Sequence, residues 1–239
     1  MLDSRIGVNP LFIDEYTDFA TENAEALVQR LIEHVFITAE TVAIAVPLAV
    51  ALGIAITYND TAATIVLWLA GIAMTLPSLA LFGLLVPFLG IGSPPVVFTL
   101  VLYSQLPVIR NTYIGLTGVD ESIIEAGEGL GMTRWERLRR IQLPMALPVI
   151  VAGIRNAVVI VVGVAAVGSY IGAGGLGTII FEGIREADTA AIVVATIVIT
   201  ALALVIDYGI ATLEELLRLR NGESIEANRG VRLLRRAVA

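Results

Sequence analysis

At 239 residues, with 57% hydrophobic side chains and a mean hydropathy of +0.87, the chain is too apolar for a water-soluble globule, since ordinary domains run at about 45–50% apolar. It has no cysteine and a single histidine, His34, which excludes disulfides, thiolate metal centres and a histidine-cluster metal site within one chain. Net charge is −7, with 22 acidic residues against 15 basic ones that are all arginine, a lysine-free balance that suits a high-salt cytoplasm or a GC-rich genome equally.

Residues 1–9 are polar and lack the basic start and short apolar core of a secretory signal. Asn9-Pro10 can open a helix with proline at its first position. Phe12, Tyr16, Phe19, Leu27 and Leu31 then recur at helical spacing among acidic residues. Residues 1–32 are therefore expected to form an extracytoplasmic amphipathic segment lying at the interface. Apolar runs about as long as a hydrocarbon core is thick follow at 35–56, at 64–89 with an interruption at Pro77, at 96–117, at 145–167 and at 190–213. Gly90-Ile91-Gly92-Ser93-Pro94-Pro95 is a turn, with too many breakers to be helical. Residues 168–184 are glycine-rich and too short to cross alone. The fold expected is an all-α membrane protein, a polytopic bundle of about five transmembrane helices spanning residues 33–217. An arginine-rich tail follows at 218–239.

Residues 120–144 form the longest charged island in the middle of the chain. Asp120 can cap a helix with Glu121 in its first turn, and Ile123, Ile124, Gly127 and Leu130 give that helix one apolar side. Gly131 breaks it. Thr133-Arg134-Trp135-Glu136 reads as a capping box that starts a second short helix, carrying Arg134, Arg137, Arg139 and Arg140 outside and Trp135, Leu138 and Ile141 as apolar members. Pro144 is expected to stop it, because proline disfavours helical geometry in the residue before it.

Glu125-Ala126, then Gly131, then Ile141-x-Leu143-Pro144 resembles the EAA loop of ATP-binding-cassette (ABC) importer permeases, with every spacing matched. Gly127 stands where a second alanine is usual. The resemblance implies a MetI-like permease fold in which residues 118–144 are a cytoplasmic coupling loop seated in a groove of a separate ATPase. Glu125, Ala126, Gly127, Gly131, Trp135, Ile141, Leu143 and Pro144 would make that coupling site. Residues 75–83, 106–113 and 152–155 look like the glycine betaine/carnitine/choline type of such permeases, as does Gly172-Ala173-Gly174-Gly175-Leu176-Gly177. The implied partners are an ABC ATPase, an extracytoplasmic substrate-binding protein and a second permease, identical or not, all at a lipid membrane and without nucleic acid. The chain would be no enzyme and would bind no cofactor itself, ATP and Mg being held by the partner. A Walker A loop needs a lysine, and none exists here. An amino-acid permease, for methionine as an example, is the alternative within transport. From another class, an ATP-independent channel or carrier remains, although ion-driven carriers usually show two similar halves and no repeat is visible.

The glycine-rich stretch also matches G-x-G-x-x-G, but a dinucleotide site needs a preceding strand and an apolar span stands there instead. Two ionisable residues fall within spans. Arg155 lies about 15 Å past Met145 and Asp207 about 10 Å from the cytoplasmic end of its span, at 1.5 Å per residue. Charges at that depth pair or face water, so the two either pair with each other, fixing the fourth span to the fifth, or line the path. Glu40 either snorkels or faces another subunit. His34 is expected to be a solvated side chain at the interface. Pro47, Pro77, Pro87 and Pro107 are either gating kinks or fixed bends, and Tyr58, Trp68 and Tyr170 are expected to be interfacial anchors.

Arginine placement sets the expected orientation. Arg110, Arg134, Arg137, Arg139 and Arg140 surround the central loop, and Arg218, Arg220, Arg229, Arg232, Arg235 and Arg236 occupy the tail, eleven of fifteen in all. Both segments should face the cytoplasm, and five spans then leave the N-terminus outside in a multi-pass protein of the cell membrane. In this cysteine-free background Thr133→Cys should react with an impermeant maleimide only from the cytoplasmic side, and Ser4→Cys only from outside. Labelling of both from one side would overturn the count of spans.

Overall fold

The computed structural model describes residues 10–222, with side chains from residue 14. Residues 1–9 and the tail arginines Arg229, Arg232, Arg235 and Arg236 lie outside the described residues. Regular structure among the described residues is helical throughout. A first helix α1 (Pro10–Glu22) turns at Asn23 into the long α2 (Ala24–Ile56). No glycine or proline occurs between Ala24 and Val46 to end α2 early. Residues 24–32, expected to belong to the interfacial segment, are thus helical and continuous with the first span. α1 itself packs Tyr16, Phe19 and Ala20 against Leu27, Leu176, Ile179 and Ala191, so its apolar side meets protein.

Asn59 caps α3 (Asp60–Thr75) by accepting the Ala62 N–H at 2.9 Å. The chain then bends by 96° into α4 (Ser78–Leu89). Leu76 is extended at the bend, the geometry that a following proline imposes, and the Tyr103 hydroxyl donates to the Leu76 carbonyl left free there. α5 (Ser93–Thr117) is the axis of the bundle, with α2 and α8 packed along it. Its polar residues are turned onto their own backbone. Thr99, Ser104 and Thr112 each donate to the carbonyl four residues earlier, at 2.7–2.9 Å.

After α6 (Glu121–Gly129), α7 (Arg134–Arg137) runs without a break through a π-helical turn at Leu138–Gln142 into α8 (Leu143–Gly168). The expected stop at Pro144 does not occur. Proline removes one N–H and crowds the carbonyl four residues back. The wider π turn, in which Leu143 N–H bonds to Leu138 O, takes up that misfit. The Pro144 carbonyl would itself have bonded to residue 148, another proline, and the Asn221 amide donates to it instead at 3.1 Å. The result is one rod from Arg134 to Ile171.

A short 3-10 turn (Ser169–Ile171) and the glycine loop then lead to α9 (Gly177–Glu186), and α10 (Thr189–Arg220) closes the fold. A helix, not a strand, precedes the glycine loop. Among the described residues, three helices are long and apolar enough to cross a membrane by themselves, α2, the α7–α8 rod and α10, and α3 with α4 qualifies as a bent pair. The expected third span is α5, which is less apolar because neighbouring helices, rather than lipid, cover it.

His34 departs from the expectation of a solvated side chain. It is fully buried, and its Nε2 donates to the Val162 carbonyl of α8 at 3.0 Å. Because α2 begins at Ala24, His34 sits nearly three turns inside the helix, and the glycine loop covers it. That loop is held closely elsewhere too: a Cβ on Gly177 would stand 1.9 Å from the Ala166 carbonyl oxygen. Overpacking of this kind costs about 1–3 kcal/mol. Gly177→Ala should therefore lower the thermal midpoint of the detergent-solubilised protein, whereas a change at Gly163, which has open space around it, should not. Equal midpoints for the two variants would contradict the close approach of α9 to α8.

Candidate functional site

The residues grouped by the sequence pattern at 120–144 fold into a compact helix–turn–helix at one end of the bundle. Asp120 caps α6 by accepting the Ser122 N–H at 2.9 Å. Hydrogen bonds from the Ser122 side chain and N–H hold its carboxyl below the usual carboxylate range. The cap is therefore fully formed above the ordinary carboxylate pKa of about 4 and is lost as pH falls through the lowered value.

Gly131 has φ +78, left-handed geometry that glycine adopts without steric cost. It ends α6 in a Schellman motif, with Gly131 N–H bonding to Glu128 O at 2.8 Å and Met132 N–H to Gly127 O at 3.1 Å. Thr133 and Glu136 then form the capping box that starts α7. Arg137 ties the two helices together, donating to Met132 O at 3.1 Å and pairing with Glu128 at 3.3 Å. The unit is fixed to the bundle by Leu138, which is buried with Leu116, Ala146 and Ile150.

The eight residues picked out by the loop pattern divide into two sets. Glu125, Ala126, Gly131 and Trp135 are exposed, Trp135 to 65%. Gly127 is buried against Ile141, whose Cδ1 would be 2.8 Å from a Cβ at that position. Ile141, Leu143 and Pro144 are half-buried at the start of the rod. The first set forms a surface and the second holds it to α8. Leu130, 81% exposed, adds to the surface. Sequence reasoning placed it on the apolar side of α6, but it follows the last helical residue, where the turn redirects it.

Further along the rod, Arg155 meets Asp207 of α10 side-on, with Nε to Oδ1 at 2.5 Å and Nη2 to Oδ2 at 3.0 Å. Glu214 stands 3.7 Å from the same guanidinium and accepts from Arg218 at 2.9 Å. Glu214 and Arg218 were not singled out from the sequence. Their spacing was the available signal, because residues 207, 214 and 218 share one face of α10. Glu40 is exposed near the middle of α2. Among the described residues no cluster of His, Asp or Glu has the makings of a metal site.

Residues 45–218 match the family described as the binding-protein-dependent transport system inner membrane component. The glycine betaine/carnitine/choline transport system permease protein OpuCB of Bacillus subtilis (strain 168) is 38% identical over 202 residues, 84% of this chain and 93% of that one. The osmoprotectant import permease protein OsmW of Salmonella typhimurium (strain LT2) is 42% identical over 195 residues, 80% of this chain and 91% of that one. A solved inward-facing methionine ABC transporter, MetNI, superposes with a TM-score of 0.69 at 21% identity, over 80% of this chain and 95% of that one, a likeness of fold.

The ion network gives an asymmetric expectation. Arg155→Met leaves Asp207 without its partner, whereas Asp207→Leu leaves Arg155 beside Glu214. With side chains 35% and 29% exposed, the first change should cost about 1–3 kcal/mol, below the range for a fully buried pair, and the second less. The double variant should recover much of the loss. Strictly additive losses in thermal midpoint would show that the two side chains do not act as a pair.

Proposed function

The chain belongs to the binding-protein-dependent transport system inner membrane components, and from that premise we propose that it lines the translocation pore of an ATP-driven importer for a small quaternary-ammonium solute. The solute class rests on the relatives, whose names specify glycine betaine, carnitine and choline over four-fifths of this chain. The implied assembly has two permeases, either two copies of this chain or one copy with a related one, two cytoplasmic ATPases that hold ATP and Mg, and an extracytoplasmic binding protein. The 120–144 unit and the end of α10 face the cytoplasm in this reading, as arginine placement favours.

The observation that carries the mechanism is the unbroken rod from Arg134 to Ile171. A surface on α6–α7 that docks on the ATPase is joined to a membrane-crossing helix with no hinge between them. When ATP binding closes the ATPases, the docked surfaces move together and each rod must move as a lever. Arg137 keeps α6 in step with α7, and the Arg155–Asp207 pair passes the motion to α10. The glycine loop at the far end of the rod then shifts relative to α2, and the pore opens outward.

Gly131→Arg places a bulky cation on the docking surface at a left-handed position, where a non-glycine residue costs about 1–2 kcal/mol. It should abolish uptake and binding-protein-stimulated ATP hydrolysis in reconstituted transporter, while the variant still inserts and purifies normally. Retained uptake would refute the assignment of this loop. A panel of osmolytes in the same ATPase assay identifies the solute.

A further inference from the structure

At the end of the bundle opposite the 120–144 unit, the 3-10 turn after α8 and one side of α9 leave a cleft of about 360 Å³ between them. Its lining is Ser169, Tyr170, Thr178, Phe181, Ile184 and Arg185. Small-molecule sites begin at about this size and combine apolar walls with a few polar groups. The Tyr170 and Phe181 rings meet edge to face, with centroids 5.5 Å apart and planes at 61°, and both remain accessible, Tyr170 exposed and Phe181 half-buried.

The polar members are free to bind. Arg185 is 73% exposed, and its ion pair with Glu182 is long, at 3.8 Å. The Ser169 hydroxyl spends its proton on Ala166 O at 2.8 Å and keeps its lone pairs. An interfacial anchor would require Tyr170 alone; here a second ring, a cation and two hydroxyl side chains converge on the same cleft.

The walls are held in register by the glycine loop. Glu33 of α2 accepts the Gly175 N–H at 2.9 Å and pairs with Arg30 at 2.9 Å. Gly177 lies against the α8 backbone. The cleft is therefore set by packing on three helices and is not a chance gap between side chains.

We propose that this cleft is a substrate site on the permease itself, taking a small solute that carries a trimethylammonium group and a carboxylate. The ammonium methyls rest on the open faces of Tyr170 and Phe181, where a cation within about 6 Å of a ring centroid is attracted by the ring quadrupole. The carboxylate is met by the Arg185 guanidinium, a charge-assisted contact. A quaternary ammonium alcohol engages the aromatic corner alone. This rests on the solute class proposed above, and in that orientation the cleft lies at the extracytoplasmic end of the permease, the end at which the binding protein delivers solute.

The test uses the assembled permease–ATPase complex in nanodiscs without binding protein, with saturation-transfer NMR on the methyl signals of glycine betaine, choline and the neutral choline isostere 3,3-dimethylbutan-1-ol. Saturable signals are expected from the first two and none from the third. Arg185→Gln should weaken glycine betaine about tenfold, the scale of one charged hydrogen bond, and leave choline unchanged. Phe181→Leu should weaken both, and Phe181→Trp should restore them, which separates loss of a binding ring from loss of packing. If the complex imports these solutes once binding protein is added, yet shows no saturable methyl signal or an equal one from the neutral isostere, the permease site is overturned and the solute class stands. If it imports none of glycine betaine, carnitine and choline, the solute class itself falls and the site with it.

Discussion

Pro144 has no N–H to give, and the helix that contains it must nevertheless stay hydrogen-bonded as it enters the bundle. A helix that goes on to cross a bilayer has to satisfy its own backbone groups, because deeper in no water replaces a lost partner. The chain meets this with a π turn before the proline and with the Asn221 amide, which serves the Pro144 carbonyl that Pro148 cannot reach. Much else depends on this solution. Without it α7 would end short of α8, and the exposed surface at Trp135 would be joined to the membrane by a flexible link. With it, a movement at Trp135 is a movement of the whole rod as far as Ile171.

The rod packs along α5 for much of its length. That helix is wrapped by α2, α3, α4 and α8, and its Thr99, Ser104, Gln105 and Thr112 are buried among them. Their hydroxyls bond back to the carbonyl one turn earlier, so they add no demand for partners on the neighbouring helices. The faces between α5 and α8 can then be apolar and close, with Val96, Leu100, Val161 and Ala165 in one cluster. Contacts of that kind resist separation and have no directional bonds to break when helices slide.

The ties to α10 are of the other kind. Arg155, Asp207, Glu214 and Arg218 form a chain of charges in which Glu214 serves two arginines. Because Arg155 and Glu214 each have two partners, the network can shift by an exchange of partners at its centre. The contrast between apolar contacts along α5 and ionic ones along α10 suits a bundle in which one helix is an axis and another follows.

The sequence by itself determined the class of fold, the approximate spans and the helix–glycine–helix at 120–144, because these depend on local quantities: apolar run length, capping residues at fixed offsets, and a glycine where the backbone must turn left-handed. It also made the loop pattern legible, since Gly131 and the Thr133–Glu136 box act within a few residues of themselves. Pairing of Arg155 with Asp207 was open in the sequence as one of two readings, and geometry across 52 residues was needed to bring them to 2.5 Å. Other features were invisible locally. His34 reads as interfacial until α2 is known to begin at Ala24 and the glycine loop is known to cover it. Pro144 reads as a stop until Asn221, 77 residues away, is seen to serve its carbonyl. The division of the loop residues into an exposed set and a buried set was likewise hidden, because Gly127 is buried only when Ile141 folds back over it. Local chemistry fixes where helices begin and turn, whereas partners distant in the chain decide which groups are buried, which carbonyls are satisfied and which helices move together.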